Sequence, residues 1–277
     1  MPTFQTSRGL VEYRFDERGH GCVLLFNGGH TNPGMRDSEQ YFIDKDYGVI
    51  SVARPGYCRT EQRIDKAFGD FEHSICELLD HLGVDVADVL GVSAGGRPAM
   101  RFAQLYPERC SNLILFSSTS FQKWPSIATR LLSYISFNPF MEKYTWTVFR
   151  WALRTFPQVA TERLFASLTK LNAREVLASY THGARNEIFD LFMDFRSGSG
   201  FMNDISSRAC RGDASAISAS TLIVHSKFDR AVETHHALVL AEEIPNARLM
   251  INDTESHLMW MSPHWVEVER ELDRFLA

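Results

Sequence analysis

Apolar positions fall into two alternating patterns along this chain. The first is the unbroken run: Cys22-Val-Leu-Leu-Phe26, residues 47–53, Val89-Leu90, Asn112-Leu-Ile-Leu-Phe-Ser117, residues 221–226 and residues 248–252. A strand that is apolar at consecutive positions is covered on both faces, as in a parallel sheet. The second is helical spacing. Phe68, Phe71, Ile75, Leu78, Leu79 and Leu82 share one face, and Gly83 closes that helix. Another helix is expected to begin at Ala94 and run to about Tyr106, where Pro107 stops it. Pro98 sits one position too deep to be free there and is expected to lose a hydrogen bond. The last helix is read with Ser262 as N-cap, Pro263 at its first position and an apolar face of Trp265, Val268, Leu272, Phe275 and Leu276. Near the start, residues 3–7 and 10–16 flank Gly9. Val11, Tyr13 and Phe15 alternate with polar residues there, which predicts a half-exposed antiparallel hairpin. Strands that alternate with helices make βαβ units. The fold class is therefore α/β: a doubly wound, mostly parallel eight-stranded sheet.

One stretch breaks the alternation. Residues 121–205 hold no strand-like run and are strongly helical and aromatic, with breaks at Pro125, Pro139 and Pro157. Within 141–156, Met141, Tyr144, Val148 and Trp151 line one face, and Trp146, Phe149, Leu153 and Phe156 line another. A helix apolar on two faces has two things to bury against. Helix-on-helix packing is one reading of both faces; the other is a cap over a pocket, with one face packed on neighbouring cap helices and the other lining a substrate cavity. The expected division is a core of residues 1–120 and 206–277 with an all-helical cap inserted at 121–205. Ser197-Gly-Ser-Gly200 is expected to act as a hinge back to the sheet.

The size of the chain, 277 residues, suits one large domain carrying an insertion. A net charge of −5 argues against nucleic acid and against an anionic membrane as partners. Cys22, Cys58, Cys76, Cys110 and Cys210 are odd in number and scattered, which suggests free thiols and, with no apolar leader in the first residues, a cytoplasmic protein. A small-molecule substrate is the expected partner, and a homodimer is left open. His235 and His236 are adjacent and share no face, so no metal site is expected, and nothing calls for an organic cofactor. His225, within a strand end, is expected to be structural.

The candidate chemistry starts at Gly91-Val-Ser-Ala-Gly95. This Gly-x-Ser-x-Gly directly follows a buried strand and opens a helix, which puts Ser93 on a strained turn with its Oγ projecting. The chain passes close to itself two residues either side, so glycines are required there. The N–H of Ala94, at a helix N-terminus, points where an oxyanion would form. A serine nucleophile needs a base, and the base an orienting acid. Asp229 follows the strand 221–226 and His257 follows the strand 248–252, both at carboxyl ends of strands. The strand ending at Ser117 has no carboxylate close behind it. Asp253 and Glu255 are the alternative acids. The chain order is Ser93, Asp229, His257.

On these residues the chain resembles the α/β-hydrolase superfamily over nearly its whole length, as a serine-nucleophile member with a helical cap. Gly91–Gly95 matches the nucleophile elbow. Asn27-Gly28-Gly29 resembles the oxyanion loop, with Asn27 for the usual histidine. Arg54-Pro55-Gly56-Tyr57 resembles a turn common in cap-bearing members, with Ala53 for Asp and Cys58 for Gly. Ser226 and Ser256 stand where glycines are usual before the acid and the histidine. The resemblance implies a catalytic triad of Ser93, Asp229 and His257, and an oxyanion hole from the N–H groups of Gly29 and Ala94. His30, beside the glycines, and Trp146, Phe149 and Trp151 of the cap are the expected substrate contacts. The expected reaction is hydrolysis of a small apolar or aryl ester through an acyl-enzyme. Hydrolysis of a C–C bond in a dienoate is the nearest alternative, with Arg150, Arg154, Arg185 and Arg196 as candidate anion partners. A ligand receptor or accessory protein with a slow triad is the alternative from another class.

Overall fold

The apolar runs form strands, and the strands form one sheet, though the run 248–252, expected to be covered on both faces, lies at the sheet edge and is only partly buried, with Ile251 exposed. The computed structural model describes residues 1–19, 21–36 and 38–277, with the side chains of Ala128 and Ser207 left aside. The strands are β1 (Thr3–Gln5), β2 (Leu10–Asp16), β3 (Cys22–Phe26), β4 (Gly48–Val52), β5 (Ala87–Val92), β6 (Cys110–Phe116), β7 (Ser220–Ser226) and β8 (Ala247–Asn252). They lie in the order β1-β2-β4-β3-β5-β6-β7-β8. β1 and β2 pair antiparallel, as do β2 and β4, and every other neighbouring pair is parallel.

Helices cover both faces. They are α1 (Gln40–Asp44), α2 (Asp70–Leu82), α3 (Gly96–Leu105), α4 (Ile127–Ser136), α5 (Glu142–Thr155), α6 (Pro157–Phe165), α7 (Ala173–Ser179), α8 (His182–Asp194), α9 (Gly200–Asp204), α10 (His235–Glu243) and α11 (Trp265–Leu276). One core joins the sheet to α2, α3 and α10 through Phe71, Ile75, Phe102 and Leu240. The other joins it to α1 and α11 through Phe42, Val268 and Leu272. Between β6 and β7 the chain makes the six helices α4 to α9, and no named strand interrupts them. Much of their apolar surface forms a separate core of Leu153, Phe165, Leu177, Ile188 and Phe192.

Several local expectations are corrected. β2 is buried on both faces rather than half-exposed, because its polar residues are neutralised: Arg14 pairs with Glu39 and Asp16, and Glu12 accepts from Arg59 at 2.9 Å. Phe68 lies before α2 and is exposed, so it does not belong to that helix's apolar face. Gly83, at φ 70, does close α2. After Ser93 the first turn is a 3₁₀ turn over Ser93–Gly95, and the α-helix starts at Gly96. Pro98 is therefore its third residue, where an N–H has no intrahelical acceptor, and the expected loss does not arise. The last helix starts at Trp265 after His264; Ser262 instead accepts from the His264 N–H at 3.0 Å in the preceding turn. Ser197–Gly200, the expected hinge, is packed against the 54–57 turn. Ser197 is buried, Ser199 N–H donates to the Gly56 carbonyl at 3.1 Å, and a Cβ on Gly200 would lie 2.0 Å from the Tyr57 ring.

Candidate active site

β5 lies near the middle of the sheet, and Ser93 leaves its carboxyl end at φ 54. That is the left-handed region, costly for a residue with a side chain. Close packing holds the turn there. A Cβ on Gly95 would lie 2.1 Å from the Phe26 carbonyl oxygen, and one on Gly91 2.7 Å from Ala99 Cβ. Only glycine lets the turn lie this close to β3 and α3. From the other side, Thr119 N–H donates to the Ser93 carbonyl at 3.1 Å. Among the described residues the Ser93 hydroxyl has no hydrogen-bond partner, and Gly28 is its close neighbour: a Cβ there would sit 3.3 Å from Ser93 Cβ.

The residues after β7 and β8 converge. His257 Nδ1 meets Asp229 Oδ2 at 2.6 Å, with Asp229 fully buried. The other Asp229 oxygen, Oδ1, accepts from the Val232 N–H at 2.9 Å. This geometry orients the ring, leaving Nε2 as its free nitrogen. Backbone bonds fix the loop: His257 N–H donates to the Leu168 carbonyl at 2.9 Å, and Ser117 Oγ donates to the His257 carbonyl at 3.1 Å. Residues 117–119 thus hold both Ser93 and His257. The alternative acids are engaged elsewhere. Asp253 pairs with Lys227 at 2.5 Å on the surface, and Glu255 accepts from Tyr180 at 3.0 Å. His225 is fully buried, with Nε2 3.0 Å from the Val232 carbonyl and 3.5 Å from Asp229; burial pulls its pKa down, against the pull of Asp229.

The loop after β3 faces the serine. Gly28 carbonyl accepts from Thr31 Oγ1 at 2.8 Å and from Arg54 Nη2 at 2.9 Å. A peptide group is planar, so holding the Gly28 carbonyl also aims the Gly29 N–H. That N–H has no acceptor among the described residues. Arg54 is itself held by Asp204, which also accepts from Tyr57 at 2.6 Å. A cavity of about 30 Å³ lies beneath Ala94 among Arg54, Arg97 and Asp204. It has room for about one water and none for a substrate.

His30, at φ 67, opens a cluster of rings. Its centroid lies 4.3 Å from Phe201 and 5.0 Å from both Phe137 and Trp146. His30 Nδ1 and Trp146 Nε1 both reach Ser197 Oγ, at 2.6 and 3.0 Å. Burial, with the nearby Arg54 charge, pushes the His30 pKa down to about 3, so the ring is neutral at pH 7. Glu142 lies under this node and accepts from the N–H groups of Ser197 and Gly198 at 2.8 and 3.0 Å. Phe149 packs on Trp146 with centroids 5.6 Å apart. Trp151 does not join the cluster: it is exposed and packs edge-on against Phe156, so its expected substrate contact is corrected. The face of α5 it shares with Met141, Tyr144 and Val148 is exposed too.

Sequence reading missed Phe137, Phe195, Phe201, Ser197, Arg54 and Asp204. The rings stood in a helical stretch where every face carries aromatics, so spacing could not rank them. Arg54 was visible only as part of a turn. Of the four cap arginines, Arg196 pairs with Glu142 at 3.2 Å, Arg150 donates to the Phe195 carbonyl and Arg185 to that of Leu177. Arg154 is exposed on α5.

The alpha/beta hydrolase fold family profile matches residues 21–262. The chain belongs to the alpha/beta hydrolase fold family. This family member is 29% identical over 280 residues to the uncharacterized hydrolase YcgS of Bacillus subtilis (strain 168), covering 100% of this chain and 98% of that one. It is 26% identical over 283 residues to the 2-hydroxy-6-oxo-6-phenylhexa-2,4-dienoate hydrolase of Comamonas testosteroni, covering 94% and 87%. An alpha/beta hydrolase fold protein from Nakamurella multipartita superposes with a TM-score of 0.79 at 22% identity, covering 99% of this chain and 98% of that chain. The chain is a hydrolase of this fold. All five thiols are free, and no described helix is long and apolar enough to cross a membrane.

Proposed function

We propose that the chain hydrolyses a carboxylic ester with an apolar acyl or aryl group through a serine acyl-enzyme. The observation that carries this reading is the His257–Asp229 pair at 2.6 Å, tied through residues 117–119 to the turn that holds Ser93 at φ 54. Ser93 attacks the carbonyl while His257 takes its proton, and His257 later returns a proton to the leaving alcohol. Asp229 fixes the ring so that Nε2 is the basic nitrogen. The N–H groups of Gly29 and Ala94 receive the oxyanion; each such donor is worth roughly 3 kcal/mol in the transition state. A water then repeats the sequence and releases the acid. The rings of His30, Phe137, Trp146 and Phe201 favour an apolar group. The engagement of Arg150, Arg185 and Arg196 with protein acceptors disfavours an anionic substrate.

A second reading is supported by the dienoate hydrolase relative: C–C cleavage of a dienoate by the same three residues. A p-nitrophenyl ester series of graded chain length, run beside one dienoate, separates the two. Ester kcat/KM at least a hundredfold above the dienoate value is expected; the reverse ratio replaces the ester by the dienoate. Ser93→Ala and His257→Ala are each expected to lose at least a thousandfold in kcat on folded protein. A fluorophosphonate should label wild type at Ser93. Slow or absent labelling would instead mark a receptor or accessory protein with an idle site.

A further inference from the structure

The outer side of the α4–α5 hairpin is uncovered. Ile127, Leu131, Leu132 and Ile135 of α4, and Val148 and Trp151 of α5, each keep 60% or more of their surface in solvent. So does Phe140 in the turn between them. Among the described side chains of α4 only Ser133 is buried. Hydrogen bonds link the two helices through their turn. Asn138 bonds the Tyr134 and Ile135 carbonyls and the N–H groups of Phe140 and Met141, and Thr145 Oγ1 donates to the Ser136 carbonyl at 2.6 Å. Isolated apolar residues are normal on a surface; a run of this size on two consecutive helices marks a place that is covered by something else.

The charges around it say by what. Between 121 and 160 the cations are Lys123, Arg130, Lys143, Arg150 and Arg154, and the only carboxylate is Glu142. Glu142 is buried and spent on Arg196 and the Ser197 and Gly198 N–H groups. Residues 121–160 therefore carry apolar surface and positive charge with no exposed carboxylate of their own, within a chain whose net charge is −5. Net charge argues against an anionic surface only when it is evenly spread, and here it is not. A second copy fits poorly. A two-fold contact would set this patch on itself, cation against cation, with no acidic partner. We propose that the α4–α5 hairpin docks on the surface of an anionic lipid bilayer. Leu131, Leu132, Ile135 and Phe140 enter the acyl boundary, Trp151 sits at the headgroup level, and Lys143 and Arg154 meet lipid phosphates. The opposite face of α5 carries Trp146 against His30, so the docked helix would stand between bilayer and cleft.

The test is sedimentation of the full chain with large unilamellar vesicles at 0.1 M salt. One set is phosphatidylcholine alone; the other contains 30% phosphatidylglycerol. Partition to the anionic vesicles is expected to exceed that to neutral ones at least tenfold and to fall sharply at 0.5 M salt. Leu132→Ser with Ile135→Ser, both exposed, should lose tenfold or more with an unchanged melting curve. Lys143→Glu with Arg154→Glu should lose the preference for anionic lipid. Equal binding to both vesicles, or none, overturns the proposal. So does a concentration-dependent dimer in analytical ultracentrifugation that the Leu132/Ile135 variant abolishes, which assigns the face to a second copy.

Discussion

Arg54 shows how far a single buried side chain reaches. Its guanidinium joins Asp204 to the Gly28 carbonyl and so fixes the peptide whose N–H is the proposed oxyanion donor. Arg54→Met should destabilise the fold by about 3–5 kcal/mol, because buried Asp204 loses its ion-pair partner and keeps, among the described residues, the Tyr57 hydroxyl as side-chain hydrogen-bond donor. Arg54→Met with Asp204→Asn should recover much of that stability while kcat stays at least tenfold low and KM moves little. Wild-type kcat in the stabilised double variant would make Arg54 structural only. The same scale governs Gly95. Its missing Cβ would collide with backbone that cannot turn aside, so Gly95→Ala should cost at least about 3 kcal/mol in urea unfolding.

At the scale of the element, α5 separates two roles by face. Trp146 and Leu153 are buried, whereas Val148 and Trp151 are exposed. Trp146→Ala should lower stability by roughly 3–5 kcal/mol and also reorder the ester series, since the ring lies against His30, next to the Gly28-Gly29 loop that faces Ser93. Trp151→Ala should stay within about 0.5 kcal/mol of wild type and keep the order of preference. Thermal unfolding and kcat/KM across the series check both. A reordered series in Trp151→Ala, or an unchanged one in Trp146→Ala, would reverse the assignment of faces. The segment 197–200 makes a related point: glycines here serve close approach to Gly56 and Tyr57 rather than motion.

For the whole molecule, buried neutral histidines make stability depend on pH. Burial, with the charges of Arg97 and His235, pushes the His236 pKa down to about 4, and His30 lies at about 3. Unfolded histidine titrates near 6.5, so below that pH the unfolded chain binds protons that the folded chain refuses. The stability from these rings is complete above about pH 6.5 and falls as pH drops towards the folded values. Each should lose roughly 2 kcal/mol by pH 4.5. Asp65 acts in the opposite sense: burial raises its pKa to about 6, which favours the folded chain as it protonates below that pH. A net fall of about 2 kcal/mol between pH 7 and pH 4.5 is expected in urea titrations; a flat profile would mean that the histidines are protonated in the fold or solvated.

Sequence alone determined the sheet, because strands buried on both faces must be apolar at consecutive positions, and that pattern is local. It also pointed to Ser93, Asp229 and His257, the residues of the proposed triad, since each follows an apolar strand within five residues and the elbow's glycines are dictated by backbone contact at that point. Boundaries shifted by one or two residues where caps compete, as at Ser262 and Ala94. The burial of β2 was not legible: its partners Glu39 and Arg59 are remote in sequence, and a strand that alternates looks half-exposed until such partners neutralise its charges. Only the tertiary structure placed Asp229, rather than Asp253 or Glu255, against His257, drew Phe137, Trp146 and Phe201 around His30, and turned Trp151 outwards. Those choices depend on which helix face meets the core, and a helix with apolar residues on every side does not encode that face in its own spacing.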